Sequence, residues 1–441
     1  MTGPRGRQTN GRTTHHMHTL AIEKMTYGID ALTRLDGKVL FVPYAAPGDT
    51  AEIEVTETKP DYLRGRVTSI VTPSEARRES PCPNFPDCGG CHWLHLKPEN
   101  QRREKEAMLR WLVKPLNPGT VYPIEALPTT RYRNKMELKL AVREDGSVVL
   151  GNYKYHSHDV VPLKGCIVQC ADNMQAYDDL TAFFDLPEHR PMAAGIAEIM
   201  VRTLGPQQQM LVTMKSAPDE AALNAWRAYH DAHQRIGRLE VAGPDAVYLT
   251  MMREQPPFPF MKRNWTVSPR SFFQNNLEGA EAIFYTLLSI YEATQQRGKF
   301  LDLYCGVGIQ TVLLESRFDE VVGVECNEDS YQDALRNQKV RNPSRSQFLC
   351  RKVEAIFGSP ATKGSLAAIH LNPPRTGLSQ RVSRGLMGVK PRMITYLSCN
   401  PMTFKRDAIA ISQMGYRLDQ VYAFDLFPGT FHLEILGVFT R

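Results

Sequence analysis

Residues 301–308 read LDLYCGVG, and the fold expected for the C-terminal part of the chain follows from this stretch. Its apolar start predicts a buried strand, and Gly306 and Gly308 put residues without a Cβ at the turn into a helix. Such a turn lets a ligand lie against the backbone at the carboxyl end of a parallel sheet. Glu325 ends the next predicted strand, where a carboxylate can bind the hydroxyls of a ribose. The pattern predicts a doubly wound α/β domain that binds a ribose-bearing cofactor.

The rest of residues 266–441 continues this alternation of strands and helices, which is typical of a parallel sheet covered on both faces. The stretch HLNPPRTG (370–377) follows a predicted strand, and its two prolines stiffen the loop. Asn372 in this loop offers both a donor and an acceptor, which suits the edge of a planar base. The alternative is a rigid surface turn.

Two reactive side chains are predicted at the same edge of the sheet. Cys399 directly follows the predicted strand Arg392–Ser398, in a position suited to a nucleophilic thiolate, although a buried structural thiol is the alternative. His432 and Glu434 are expected on one face of a final strand, His432–Phe439. An acid on such an apolar strand is costly unless it is used or paired, so we take Glu434 as a base, with a salt-bridged edge as the alternative.

The N-terminal part of the chain differs in pattern. Residues 19–72 read as short strands separated by turns, which indicates a small closed barrel of the OB type. A helix from Pro98 to Val113 is expected to carry four basic residues on its polar side, Arg102, Arg103, Lys105 and Arg110. We therefore divide the chain into a basic flexible tail (1–18), an OB-like barrel (19–74), a central α+β domain with a cysteine cluster (75–265) and a Rossmann-like domain (266–441).

Three cysteines, Cys82, Cys88 and Cys91, lie close together in a loop rich in Pro and Gly. A fourth thiolate would close a metal site, and Cys166 and Cys170 are the available pair. The spacing leaves zinc and an iron–sulfur cluster open as the bound group.

Composition narrows the class of protein only moderately. The chain has 441 residues and a formal net charge of +6, a mild excess that is compatible with binding a polyanion. No apolar run is long enough for a membrane span, and no export signal is visible, so we expect a cytoplasmic protein without disulfides.

Several motifs resemble the RNA 5-methyluridine methyltransferase family, in particular the bacterial 23S ribosomal RNA uracil-C5 methyltransferases. The most specific are SCNP (398–401) and FPGTFHLE (427–434), and SFFQNN (271–276) is similar to a further family motif. Residues 19–72 resemble a TRAM domain through DGK (36–38), FVP (41–43) and PGD (47–49). The resemblance covers almost everything after residue 18.

The resemblance implies a reaction in which Cys399 adds to C6 of uridine, S-adenosylmethionine donates a methyl group to C5, and Glu434 removes the C5 proton. It also implies a [4Fe–4S] cluster, held in the family by thiolates at positions that correspond to Cys82, Cys88, Cys91 and Cys166, with Cys170 as a bystander. The expected cofactor contacts, from the resemblance and the strand-end motifs together, are Gln274, Tyr304, Gly306, Gly308, Glu325 and Asn372.

The expected partner is RNA, with 23S ribosomal RNA as the first candidate and transfer RNA as the alternative; we expect no DNA, no membrane and a monomer. The expected contacts with RNA lie on the barrel, on the arginines of the Pro98–Val113 helix and on residues 131–135, where Tyr132 is placed to stack on a base. The target uridine must leave any helix to reach Cys399.

Three positions depart from the family pattern: Asn372 replaces a frequent Asp, Ile309 a frequent Asn or Thr, and Ala31 a glycine. Two rival functions are an amino-group methyltransferase acting on adenine or cytosine, since Asn-Pro-Pro opens its motif, and a non-catalytic RNA-binding module. The first normally has an aromatic residue where Arg375 stands and needs no cysteine. Retention of both Cys399 and Glu434 speaks against the second.

Overall fold

The structure is a computed structural model that describes residues 17–253, 257–294, 297–339 and 345–441. The expected basic tail, residues 1–18, lies outside the described residues except for Met17 and His18. No helix in the described ranges is long and apolar enough to cross a membrane.

The strands and helices follow in chain order. The strands are β1 (Met17–Ala21), β2 (Lys24–Met25), β3 (Asp30–Leu35), β4 (Lys38–Pro43), β5 (Thr50–Thr58), β6 (Tyr62–Thr72), β7 (Thr120–Val121), β8 (Lys135–Val142), β9 (Val148–Tyr153), β10 (Val160–Pro162), β11 (Ile196–Leu204), β12 (Gln207–Met214), β13 (Ile236–Ala242), β14 (Val247–Met252), β15 (Phe258–Phe260), β16 (Arg263–Trp265), β17 (Lys299–Leu303), β18 (Glu320–Glu325), β19 (Ser346–Cys350), β20 (Leu366–Leu371), β21 (Met393–Ser398), β22 (Arg417–Phe424) and β23 (Glu434–Thr440). The helices are α1 (Pro98–Val113), α2 (Ala171–Asp185), α3 (Glu220–Ala232), α4 (Leu277–Ala293), α5 (Ile309–Leu314), α6 (Glu328–Lys339), α7 (Gln380–Val389) and α8 (Pro401–Gln413).

The N-terminal strands form a curled sheet in the order β1-β5-β6-β4-β3-β2. The curl brings β1 back towards β3, where the Thr33 hydroxyl donates to the carbonyl of Ala21 over 2.7 Å. Ala31 lies inside β3 with its side chain fully buried, so the residue that replaces a family glycine packs in the barrel core and forms no turn.

The central sheet has the order β10-β9-β8-β11-β12-β13-β14, and α2 and α3 pack against it. Neighbouring strands are antiparallel except β12 and β13, which are parallel and are connected through α3. Buried aromatic rings on the two helices, among them Phe183 and Trp226, fill the space between helices and sheet.

The C-terminal sheet has the order β19-β18-β17-β20-β21-β23-β22-β7. The strands from β19 to β21 are parallel, and β23 returns antiparallel to β21. Apolar clusters link one face to α7, α8 and α1, and the other face to α4, α5 and α6. This is the expected doubly wound arrangement, and its strand ends at one edge carry the candidate site.

Two elements that sequence analysis assigned to the central domain pack on the C-terminal sheet. Helix α1 contributes Leu109, Leu112 and Val113 to the core of that sheet, and β7 pairs in parallel with β22. The physical reason is the apolar stripe of α1, which covers the antiparallel end of the sheet.

The expectation that Lys105 lies on the polar side of α1 is wrong. Its side chain is fully buried, and its ammonium nitrogen lies 2.6 Å from a carboxylate oxygen of Asp425. The same nitrogen lies 5.7 Å from the centre of the Trp93 ring. Burial lowers the pKa of Lys105, and the neighbouring carboxylate opposes this shift. Helical periodicity gave no sign of the pairing, because the partner is far along the chain.

Replacing Lys105 should reveal the energetic weight of this ion pair. Lys105→Met leaves the Asp425 carboxylate buried without its partner, and we expect the free energy of unfolding to fall by roughly 3–5 kcal/mol. Urea denaturation measures the change, with Arg103→Met as the matched control on the exposed side of α1. The double variant Lys105→Met/Asp425→Leu should recover most of the loss. Equal stability of the Lys105 and Arg103 variants would contradict a stabilising pair.

Candidate active site

The turn after β17 forms one wall of a small cavity. Tyr304, Gly306 and Gly308 all have positive φ angles, of 65°, 55° and 77°. At Gly308 a Cβ would come within 2.6 Å of the Phe348 ring, so this position requires glycine for space as well as for conformation. The turn thus follows a path that brings backbone close to whatever occupies the cavity.

The cavity has a volume of about 70 Å³. The predicted cofactor residues that line it are Gln274, Tyr304, Gly306 and Asn372. Glu325, from the end of β18, holds the same turn: its carboxylate accepts from the backbone N–H of Gly306 over 3.0 Å and from those of Cys326 and Asn327 over 2.7 Å. Since a carboxylate has about four acceptor positions, Glu325 retains capacity for a hydroxyl group.

Two further residues line this cavity and were not singled out from the sequence. Burial raises the pKa of Asp302 to about 7, while the Thr311 hydroxyl, 2.6 Å away, counteracts the rise. Burial lowers the pKa of His370 to about 3, and its Nδ1 lies 2.7 Å from the Thr395 hydroxyl. The sequence did contain a signal for Asp302: it is an acid within the apolar stretch LDL (301–303), and burial of an acid costs free energy unless the group is hydrogen-bonded or used in function.

Ile309 begins α5 and packs in an apolar cluster with Val307, Val312 and Ala334. Its side chain is nearly fully buried. Ile309 also lines the cavity, so the departure from the family pattern puts an apolar side chain on the cavity wall where a polar one would otherwise stand.

Cys399 and Glu434 come together through strand pairing. Strand β21 ends at Ser398, which pairs with Ile435 of the antiparallel strand β23. One residue further, this register sets Cys399 opposite Glu434. The two residues are far apart in sequence, yet they lie together at the end of the paired strands, where the charge of Glu434 acts on the Cys399 thiol. The cofactor turn lies at the same edge of the sheet.

Arg375 is the charged neighbour that both groups share. Burial raises the pKa of Glu434 to about 7, and Arg375 counteracts this rise. Burial and the Glu434 charge raise the pKa of the Cys399 thiol, while Arg375, which hydrogen-bonds it, works against the rise. The cation therefore favours the thiolate and the carboxylate that a covalent mechanism needs. The NPPR stretch (372–375) gave no local signal for this role of Arg375, because Cys399 and Glu434 are far along the chain.

His432 does not lie on a strand with Glu434, and the expectation of a shared strand face is wrong. Strand β23 begins at Glu434, and His432 belongs to the preceding loop. Its ring packs against Phe431, with centroids 4.4 Å apart. Burial, followed by the charge of Arg375, lowers the pKa of His432 to about 3. The imidazole is thus neutral near pH 7.

The loop before Glu434, residues 425–433, is fixed by distant parts of the chain. The backbone N–H groups of His92 and Trp93 each donate to the carbonyl of Gly429 over 2.8 Å. The Gln101 side chain accepts from the Gly429 N–H over 2.7 Å, and the Tyr132 hydroxyl donates to the Pro428 carbonyl over 2.9 Å. The loop is therefore held at its backbone, and with it the start of β23.

Tyr132 was expected to stack on an RNA base, and this expectation is wrong. Its ring is buried and its hydroxyl is used within the protein. Arg131 remains exposed and Arg133 partly so. In the sequence, an aromatic residue between two arginines is typical of an RNA contact. The fold shows instead that the ring points into the protein.

A second cavity, of about 380 Å³, is lined by the four expected cluster ligands, Cys82, Cys88, Cys91 and Cys166. Arg375 and His432 also line it, so this cavity extends to the neighbourhood of Cys399. Cys170 lies elsewhere: it precedes α2, and its thiol is hydrogen-bonded with Thr203. The fold thus separates the two candidates for the fourth ligand.

Comparisons with known proteins identify two parts of the chain. The model of the family described as tRNA (uracil-5-)-methyltransferase matches residues 261–441, and the TRAM domain model matches residues 19–68. The first match names uracil C5 chemistry and gives no support to the rival function of an amino-group methyltransferase or to a module without activity.

Relatives match along nearly the whole length. An uncharacterized RNA methyltransferase of Aquifex aeolicus is 28% identical, over 95% of this chain and 97% of its own. One from Halalkalibacterium halodurans is 26% identical, over 95% and 96%.

Among solved structures, the tRNA (uracil-54, C5)-methyltransferase of Pyrococcus abyssi, in complex with S-adenosyl-L-homocysteine, superposes with a TM-score of 0.73. It is 23% identical, over 96% of this chain and 99% of its own, and therefore shows the shared fold. With the two domain matches, this confirms the expected methyltransferase fold behind an N-terminal TRAM domain. Residues 261–441 are thus an RNA uracil-5-methyltransferase domain, and residues 19–68 are a TRAM domain.

Proposed function

We propose that this enzyme methylates C5 of a uridine in 23S ribosomal RNA, with Cys399 as a covalent nucleophile and Glu434 as the base. The observation that carries the proposal is the strand register that sets Cys399 opposite Glu434. A thiol and a carboxylate close to each other are the two groups that this reaction requires.

The reaction begins with the thiolate of Cys399, which Arg375 stabilises by hydrogen bonding. The sulfur adds to C6 of the uracil, and the electrons of the C5=C6 double bond move towards O4 to give an enolate. The enolate carbon C5 then takes the methyl group. The turn after β17, with Gln274 and Asn372 beside it, would hold S-adenosylmethionine, whose sulfonium would supply the methyl group to C5.

The second half of the reaction restores the ring. Glu434 removes the proton from C5, the electrons of that C–H bond re-form the C5=C6 double bond, and the bond from C6 to sulfur breaks. Cys399 returns as a thiolate, and 5-methyluridine is released. The raised pKa of Glu434, about 7, gives its carboxylate more basicity than an exposed glutamate has.

The choice of 23S ribosomal RNA rests on the resemblance of the cysteine arrangement and of the motifs to the bacterial 23S enzymes. Transfer RNA is the second candidate, because the Pyrococcus abyssi protein of similar fold is named as a tRNA (uracil-54, C5)-methyltransferase. The target base must in either case be unstacked, since Glu434 is buried and a base that stays within a helix cannot reach it.

We further propose that the cysteine cavity holds a [4Fe–4S] cluster. Four thiols line it, and Asn152 donates to the sulfur of Cys88 over 3.6 Å. Backbone N–H groups of Val168 and Gln169 donate to Cys166. Hydrogen bonds to sulfur are typical of iron–sulfur sites. Within the described ranges, no three His, Cys, Asp or Glu side chains converge on one point as a single metal ion requires. The choice of a [4Fe–4S] cluster over zinc rests on the family resemblance, which implies four thiolate ligands at these positions.

Covalent trapping tests the nucleophile. Incubation of the enzyme with S-adenosylmethionine and RNA that contains 5-fluorouridine should give a protein–RNA adduct, because fluorine at C5 cannot leave as the proton does. Cys399→Ser should form no adduct and show no turnover. Cys170→Ser serves as the matched control and should behave like the wild type, since serine is favoured before a helix. An adduct with Cys399→Ser, or turnover by it, would exclude the proposed mechanism.

The base is tested by the same assay with ordinary RNA. Glu434→Gln cannot remove the C5 proton, so we expect methylated RNA to stay attached to the protein. In the wild type, kcat should rise as the pH increases through about 7, because the carboxyl of Glu434 must first lose its proton. Free product at the wild-type rate from Glu434→Gln would assign the base elsewhere.

The substrate is tested by mapping 5-methyluridine in a strain that lacks the gene. We expect one or more positions in 23S ribosomal RNA to lose the modification, with restoration by the intact gene and none by a Cys399→Ala copy. Loss confined to transfer RNA would favour the second candidate.

The cluster is tested by iron and sulfide analysis and by visible absorption of protein purified without oxygen. We expect about four iron atoms per chain, as a [4Fe–4S] cluster contains. Single Cys→Ser replacements at 82, 88, 91 or 166 should lower this content, whereas Cys170→Ser should keep it. Stoichiometric zinc and no iron in the wild type would reject the cluster.

A further inference from the structure

Tyr27 belongs to the N-terminal barrel, yet its side chain lies beside the residues proposed to carry the reaction. It stands in the short connection between β2 and β3. Its ring packs edge-on against Phe431, with 5.2 Å between the ring centroids, and Phe431 belongs to the loop that leads to Glu434. The barrel therefore brings an aromatic side chain to a site that is otherwise built from the C-terminal sheet.

The connection that carries Tyr27 is held on both sides. The indole N–H of Trp93, a fully buried residue, donates to the carbonyl of Gly28 over 2.9 Å. The Thr26 hydroxyl donates to the carbonyl of Asp30 over 2.7 Å, and the backbone N–H of Met25 donates to Glu104 of α1 over 3.1 Å. These bonds fix the backbone on each side of Tyr27, so its side chain is preorganised.

The phenol itself lies within electrostatic reach of Cys399, Arg375 and Glu434. Burial, followed by the charge of Cys399, raises the pKa of Tyr27 to about 12, so the hydroxyl keeps its proton near pH 7. Among the residues that the structure describes, this hydroxyl makes no hydrogen bond. A half-buried donor without a protein partner, next to two reactive groups, is suited to an acceptor atom of a ligand.

We infer that Tyr27 touches the target base: its phenol donates a hydrogen bond to a ring carbonyl oxygen of the uracil placed between Cys399 and Glu434. This inference rests on the proposed function. Addition of the Cys399 sulfur to C6 shifts an electron pair towards O4, and a donor fixed beforehand at such an oxygen stabilises the charge as it develops. The phenol keeps its proton throughout, and no bond of Tyr27 is broken.

The alternative role for Tyr27 is purely structural, as a ring that packs the barrel against Phe431. Tyr27→Phe separates the two roles, because it keeps the ring and removes only the hydroxyl. Tyr62→Phe is the matched control: it makes the same chemical change in the same barrel, where Tyr62 packs against Phe41 with centroids 5.6 Å apart.

The experiment measures the first-order rate of adduct formation with 5-fluorouridine RNA, at saturating RNA and S-adenosylmethionine, for the full-length protein. We expect Tyr27→Phe to slow this rate by about 100-fold, the typical loss when one donor to a developing oxyanion is removed. The affinity for RNA and the thermal midpoint should stay at wild-type values, and Tyr62→Phe should react at the wild-type rate.

A Tyr27→Phe rate within about twofold of the wild type, as a structural ring predicts, would overturn the inference while leaving the proposed function intact. A loss confined to RNA affinity would also overturn it, because the hydroxyl would then act in docking and not at the reacting ring. Failure of the wild type to form any adduct would instead overturn the proposed function, and this role of Tyr27 with it.

Discussion

The position of Glu434 depends on how the loop before it, residues 425–433, is held. This loop contains no helix or strand, and four separate parts of the chain bind it. The cysteine loop binds it through His92 and Trp93, and α1 binds it through Gln101 and Lys105. The central domain binds it through Tyr132, and the N-cap residue of α4, Asn276, donates to the Leu426 carbonyl over 2.9 Å. The candidate base therefore reaches its place only when all of these parts have folded together.

The same loop joins the three functional regions of the molecule. Its backbone at Gly429 meets the residues that follow Cys91, its Phe431 meets the barrel at Tyr27, and its end passes into β23 opposite Cys399. A displacement in the cysteine loop would move Gly429 directly, because two backbone hydrogen bonds connect them. A cluster in the cysteine cavity would thus act on the reaction through position, without any transfer of electrons in the chemistry.

The pKa values of Cys399 and Glu434 depend on two opposing effects, burial and the positive charge of Arg375. Burial favours the neutral forms of Cys399 and Glu434, and Arg375 favours their charged forms. The balance leaves the pKa of Glu434 at about 7, where the carboxyl can both lose and hold a proton near neutral pH. A more exposed glutamate would be a weaker base, and a deeper one without Arg375 would stay protonated.

Hydrophobic periodicity and turn residues are local signals in the sequence, and they predicted the bounds of α1, the strands next to Cys399 and Glu434 to within two residues, and the strand-end positions of Glu325 and Asn372. The same local signals placed Lys105 and Tyr132 at the surface, whereas the fold buries both side chains. The family resemblance had already paired Cys399 with Glu434 and preferred Cys166 to Cys170, and Cys166 does line the cysteine cavity. The tertiary structure alone showed that Arg375 acts on both Cys399 and Glu434 and that Tyr27 of the barrel lies within electrostatic reach of them. The physical reason is that burial and pairing between segments far apart in sequence arise from packing, which no short window of residues encodes.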